Sequence, residues 1–159
     1  HARLAKQGLD AMFTHALISG SNGVIDEKTF DPNASYWGAV LWRRLMGARV
    51  LDAGPQKPGL HVYAHCLRGV RGGVVLLAIN MQNAETALAV DSPAQTYALT
   101  APDLLSKTVM LNGRALSVGA NDRLPKMVPR QQHAGQLTLA PTSTTFIAMP
   151  QARNPGCQT

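Results

Sequence analysis

The residues able to do chemistry in this 159-residue chain are few and widely spaced. Its nine acids are Asp10, Asp26, Glu27, Asp31, Asp52, Glu85, Asp91, Asp103 and Asp122. Acid–base work on a sugar bond needs two carboxylates about 5–9 Å apart, and no motif sets a second acid beside any of these. Asp10 opens an apolar run, Asp26 and Glu27 lie in a connector, and Asp31 precedes Pro32 as a turn residue. No catalytic pair is expected within the chain. His61-Val-Tyr-Ala-His65 has the look of a metal motif. On a strand, however, its two imidazoles stand roughly 13 Å apart at the usual rise per residue, too far to share a zinc ion whose ligands sit about 2 Å from it. No metal site is expected, and His61 and His65 read as solvent-face residues. Cys66 and Cys157 are too far apart for a CxxC metal or redox motif. Either a long-loop disulfide or two thiols fits that spacing, the former implying an oxidising compartment.

One histidine stands in more interesting company. His15 lies in Leu9–Ile18 (Leu-Asp-Ala-Met-Phe-Thr-His-Ala-Leu-Ile), a nearly unbroken apolar run that reads as a parallel strand buried on both faces. Ser19-Gly20-Ser21-Asn22-Gly23 breaks that strand with residues tolerant of turn geometry. In a (β/α)8 barrel, the loop at the C-terminal end of a strand borders the active site. A Gly/Ser/Asn turn there can hold an anion by backbone N–H groups alone. His15 and Gly20 to Gly23 are the candidate binding residues, the alternatives being a satisfied core histidine and a plain turn.

The elements that position them fall into two styles. Ala2 to Lys6 reads as the end of a helix stopped near Gly8. Asp31-Pro-Asn-Ala-Ser35 offers helix-start chemistry. Trp37, Val40, Leu41 and Leu45 follow at helical spacing, with Gly47 as the expected terminator. Helix, buried strand, loop, helix is the grammar of an α/β barrel. After Gly47 short alternating runs take over: Arg49–Leu51, Leu60–Leu67, Val74–Asn80, Thr86–Val90, Thr96–Thr100, Thr108–Leu111, Arg114–Val118, Leu137–Ala140 and Thr144–Met149. Turns separate them, Asn112-Gly113 being a strong hairpin signal. About nine strands without intervening helices predict an antiparallel β-sandwich. The expected division is 1–47, the last strand, loop and helix of a barrel, and 48–159, the sandwich. A whole barrel takes about 250 residues, and a lone parallel strand leaves its backbone groups unpaired. The remaining barrel strands must come from another chain or segment.

Composition bounds the class. Apolar residues make up 45% of the chain and charged ones 15%, enough to build a folded core. No apolar run reaches the ~20 residues of a membrane-spanning helix. The start, His-Ala-Arg-Leu-Ala-Lys, lacks a signal-peptide core and reads as a processed or cut end. The net charge of +6 is spread over Arg43, Arg44, Arg68, Arg71, Arg123, Lys126 and Arg130 without interleaved aromatics. That pattern argues against a nucleic-acid reader and suits a solubilising surface or an anionic polysaccharide.

At Asp31-Pro32, Tyr36-Trp37, Leu60-His-Val-Tyr-Ala-His-Cys66, Leu77-Ala-Ile-Asn80 and Leu104-Leu-Ser-Lys-Thr-Val-Met-Leu-Asn-Gly113, the chain resembles the heparanase family, glycoside hydrolase family 79. The blocks agree in order and spacing, and they cover essentially the whole chain. The resemblance implies a (β/α)8 barrel with a C-terminal β-sandwich that cleaves glucuronide linkages with retention. Its two catalytic glutamates would lie upstream, on a companion polypeptide or segment. It implies that Cys66 and Cys157 pair, that His15 stands where the family uses a glutamine near the substrate, and that Ser21-Asn22-Gly23 stands where a Gly-Asn-Tyr segment holds the glucuronate carboxylate. Here Gly23 replaces the tyrosine and Ser21 a glycine, so a backbone contact at Ser21 survives whereas a phenol contact does not. The resulting expectation is the C-terminal part of a secreted or periplasmic endo-β-glucuronidase acting on heparan sulfate or a related polysaccharide, without cofactors. The alternatives are an exo-β-glucuronidase of the same family and a non-catalytic polysaccharide-binding sandwich.

Overall fold

The computed structural model describes residues 2–9, 13, 15–19 and 23–158. Two helices, α1 (Ala2–Lys6) and α2 (Ala34–Leu45), precede ten strands. These are β1 (Met46–Leu51), β2 (Leu60–Leu67), β3 (Val74–Asn80), β4 (Thr86–Val90), β5 (Ala94–Thr100), β6 (Met110–Leu111), β7 (Arg114–Ala115), β8 (Arg130–Gln132), β9 (Gly135–Leu139) and β10 (Ser143–Met149). Eight form one antiparallel sheet in the order β1-β2-β3-β10-β5-β6-β7, with β8 also on β5, while β4 and β9 pair as a second sheet. The sandwich expected from the alternating runs is present.

Period-2 alternation along the central strands divides the core in two. Val75 and Leu77 of β3, Tyr97 and Leu99 of β5, and Phe146 and Ala148 of β10 face α2, where Trp37 and Leu41 are buried against them. Val74 and Ala78 of β3, Ala94 of β5, and Ile147 and Met149 of β10 face the β4–β9 sheet with Val90 and Leu139. The large sheet is thus covered on both faces, which explains the nearly unbroken apolar sequence Val74-Val-Leu-Leu-Ala-Ile79. Asn80 ends that run as a satisfied buried amide: its Nδ2 donates to the carbonyls of Ala84 and Ala140, each at 2.9 Å, and its Oδ1 accepts from the Gln82 amide at 3.1 Å.

Four expectations meet the structure differently. First, the expected strand Leu9–Ile18 is described only in part, residues 10–12 and 14 lying outside the described residues. Its described residues pair through a parallel bridge from Ile18 to Ile25, and Leu9, Phe13, Leu17 and Ile18 are exposed. Second, Gly47 lies inside β1 and does not terminate α2; its need for glycine is the close approach of the Cys66 carbonyl. Third, His65 is not on a solvent face. α2 covers that side of β2, so His65 is 3% exposed, its Nδ1 is 2.7 Å from the Gly47 carbonyl, and its ring stands edge-on to Trp42. Fourth, β8 was unforeseen, since Arg130-Gln-Gln132 carries no apolar alternation and is held by backbone pairing to β5. The runs Thr108–Leu111 and Arg114–Val118 shrink to the two-residue strands of a tight hairpin.

Candidate functional site

The connector between α1 and α2 is laced on both sides. Ile25 donates to the Leu17 carbonyl at 2.9 Å, and Ser19 donates back to Ile25 at 3.4 Å. On the other side Asn33 donates from its backbone to Val24 and from its Nδ2 to the Gly23 carbonyl, each at 2.9 Å. Asn33 stands at the N-cap of α2, but its side chain does not cap the helix; it holds the turn instead. Residues 17–19 and 23–25 are therefore fixed against each other beside the start of α2.

Gly23 is buried. A Cβ there would lie within 2.6 Å of the Ser19 carbonyl oxygen and 2.9 Å of the Ile25 carbonyl oxygen. Real Cβ atoms do not approach so closely, so the backbone has room for glycine alone. Gly20, Ser21 and Asn22 lie outside the described residues. His15 is exposed two residues before the pinned segment, and no hydrogen bond joins it to the Gly23 turn among the described residues. The structure thus places His15 and Gly23 on one connector.

A second clamp was not foreseen. Asp26 Oδ1 accepts from the backbone amides of Lys28 and Thr29 at 2.9 and 3.1 Å, while its Oδ2 accepts from Lys107 Nζ at 2.8 Å. An Asp in a connector is apt to form such an Asx turn, because its carboxylate can accept from backbone N–H groups two or three residues on. Its lysine partner, 81 positions away, has no such local signal. The Lys107 ammonium, with the two backbone amides, holds the Asp26 carboxyl well below the ordinary carboxylate range. This acid is a structural anchor between the connector and the loop before β6. A depressed carboxyl contributes stability above its unfolded value, about 3.9, and loses it as pH falls toward the folded value. The melting temperature of the wild type should therefore exceed that of Asp26→Asn at pH 7, and the gap should narrow steadily as pH falls below about 4. A gap of the same size at about pH 5 and about pH 2 would refute the assignment.

Cys66 of β2 and Cys157 form a disulfide with Cα atoms 5.4 Å apart. Cys157 is buried at the end of a single 3-10 turn, Pro155–Cys157. No group of three or more His, Cys, Asp or Glu side chains able to hold a metal ion occurs among the described residues. No helix among them is long and apolar enough to cross a membrane.

A family 30 subfamily 8 xylanase from Clostridium acetobutylicum matches 92% of this chain and 38% of its own, with a TM-score of 0.52 and 17% identity, a likeness of fold alone. No protein-family model matches the chain. Individual relatives do: mouse heparanase is 31% identical over 96% of the chain, and mouse inactive heparanase-2 is 31% identical over 98%. Baicalin-β-D-glucuronidase from Scutellaria baicalensis is 30% identical over 84%. The chain belongs to the heparanase family, glycoside hydrolase family 79. It spans about a third of the length of these relatives, 32% for mouse heparanase.

Proposed function

We propose that residues 1–159 are the C-terminal part of a retaining endo-β-glucuronidase acting on heparan sulfate or a similar uronate polysaccharide. The observation that carries the reading is the similarity to mouse heparanase along 96% of the chain. The two catalytic glutamates would lie outside these residues, on a companion polypeptide or segment, one protonating the leaving oxygen and the other forming a glycosyl–enzyme intermediate. Residues 1–47 would complete that barrel and 48–159 brace it. The exposure of Leu9, Phe13, Leu17 and Ile18 supports this division, because flanking strands would cover them. The Cys66–Cys157 bridge supports a secreted or periplasmic location. No cofactor is required by this chemistry.

Within the reading, His15 and the Gly20–Gly23 loop touch the glucuronate next to the scissile bond. The loop's backbone N–H groups would meet its carboxylate, and the imidazole a sugar oxygen. Losing one such bond costs on the order of 1.5–3 kcal/mol, roughly ten- to a hundredfold in kcat/KM. In the intact protein, His15→Ala should show that loss on heparan sulfate with little change in melting temperature, since His15 is exposed. A fall in polymer size with few free monosaccharides marks endo cleavage. Release of glucuronic acid alone supports the exo reading that the baicalin-β-D-glucuronidase relative favours. Absence of any cleavage of heparan sulfate or of small glucuronides by the folded, intact protein would overturn both.

A further inference from the structure

We infer that the sandwich carries its own site for a sulfated or carboxylated polysaccharide, in the groove between the β6–β7 hairpin and residues 125–130. The groove measures about 560 Å³, and Arg114, Lys126 and Arg130 line it with no acid among its walls. None of the three has an ion-pair partner among the described residues, whose salt bridges join Lys6 to Asp52 and Lys107 to Asp26. Three cations around one concavity repel each other and focus a positive potential into it, an arrangement relieved by an anion.

The groove is held open by a single side chain. Asn112 and Gly113 both have positive φ, 51° and 83°, as a tight two-residue hairpin turn requires. Asn112 Oδ1 accepts from the Ala98 amide at 2.9 Å, while its Nδ2 donates to Thr96 at 3.1 Å and to Val128 at 3.0 Å. One amide thereby ties the hairpin, β5 and the far wall together. Arg130 Nη2 donates to the Asn112 carbonyl at 2.7 Å, which fixes the guanidinium at the groove with further N–H groups to spare. A planar fork of this kind suits a sulfate or carboxylate.

The remaining walls select among polyanions. Leu116, Pro125, Val128 and Pro129 are aliphatic, and no aromatic ring lines the groove. Single-stranded nucleic acids are held largely by stacking on aromatic side chains, which this floor cannot supply. A sugar ring needs only an apolar surface beneath it, and its sulfates and carboxylates reach the rim. The inference deepens the reading above by giving the same polymer a second contact, and it concerns binding without turnover, so the two can fail separately.

The test compares two triple variants of the intact protein, each reducing net charge by three. One is Arg114→Gln/Lys126→Gln/Arg130→Gln; the other is Arg43→Gln/Arg49→Gln/Arg71→Gln, at exposed positions elsewhere. Binding to a heparin-derived decasaccharide is measured across a salt series, beside an oligothymidylate of equal charge. The groove triple should weaken saccharide binding on the order of a hundredfold near physiological salt and lower the log–log salt slope by about three. The control triple should change it less than about fivefold. Arg130 also bonds the backbone, so Arg114→Gln/Lys126→Gln keeps that bond, and a loss of roughly thirtyfold is expected there. Equal weakening by both triples, an unchanged double variant, or oligothymidylate bound as tightly as the saccharide would each overturn the site.

Discussion

Replacing Cys66 and Cys157 together by alanine is expected to lower the unfolding free energy by about 4–5 kcal/mol. The two stand 91 positions apart. In the chain-entropy model a cross-link closing a loop of that size removes about that much freedom from the unfolded state. For a chain of this length, the loss corresponds to roughly 10–18 °C in melting temperature. The native state gives the bridge a second role. Gly72 donates to the Cys157 carbonyl, and Asn154 donates back to Gly72 at 2.9 Å, so the last turn is sewn to the β2–β3 connection where the bridge leaves β2. Reducing the wild type should reproduce most of the loss, and non-reducing peptide mapping should recover the two cysteine peptides linked. A double variant melting within about 2 °C of the wild type would mean that the C-terminal turn is held by other contacts.

What could be read from the chain beforehand depended on how local each signal was. The strands Leu60–Leu67, Val74–Asn80 and Thr86–Val90 were placed to the residue, because their apolar patterns end at turn residues that cannot continue a ladder. α2 was legible from Trp37, Leu41 and Leu45, but its end was not. Gly47 looked like a helix terminator, while the chain passes directly from Leu45 into β1 and uses that glycine for close backbone approach. His61 and His65 showed a period-2 pattern that says which residues share a face and not what covers it; the covering element is α2, brought there by the fold. β8 and the Asp26–Lys107 clamp are tertiary events with no local pattern. The run Leu9–Ile18 is apolar enough for a buried strand, but burial is a property of neighbours. In the candidate site, the Gly/Ser/Asn composition pointed to a turn before any geometry was known. The sequence could not say that one glycine is sterically required, nor that Asn33 reaches back to hold it.

That steric requirement yields the largest expected effect on activity. Gly23→Ala places a methyl group among the Ser19 backbone atoms and the Ile25 carbonyl oxygen, the latter 2.9 Å from the ideal Cβ. These atoms are backbone, and they are engaged: Ser19 donates to Ile25, and the Gly23 carbonyl receives Asn33 Nδ2. Relief therefore requires residues 17–19 and 23–25 to part, breaking the lacing that fixes both ends of Gly20–Asn22. Such overpacking typically costs about 1–3 kcal/mol. In the proposed enzyme the same shift displaces the loop that meets the glucuronate, and a misplacement of about 1 Å can cost a hundredfold. The intact Gly23→Ala protein should keep its sandwich, melt a few degrees lower, and lose at least about a hundredfold in kcat/KM on heparan sulfate, exceeding the loss from His15→Ala. The same geometry excludes a tyrosine at position 23 on this backbone, so Gly23→Tyr should be at least as damaging as Gly23→Ala and should not restore the phenol contact that the family resemblance implies at this position. Equal activity of Gly23→Ala and wild type, with the lowered melting temperature, would separate the turn from the substrate: the glycine would then serve packing alone, and the Gly20–Gly23 loop would lie away from the cleavage site.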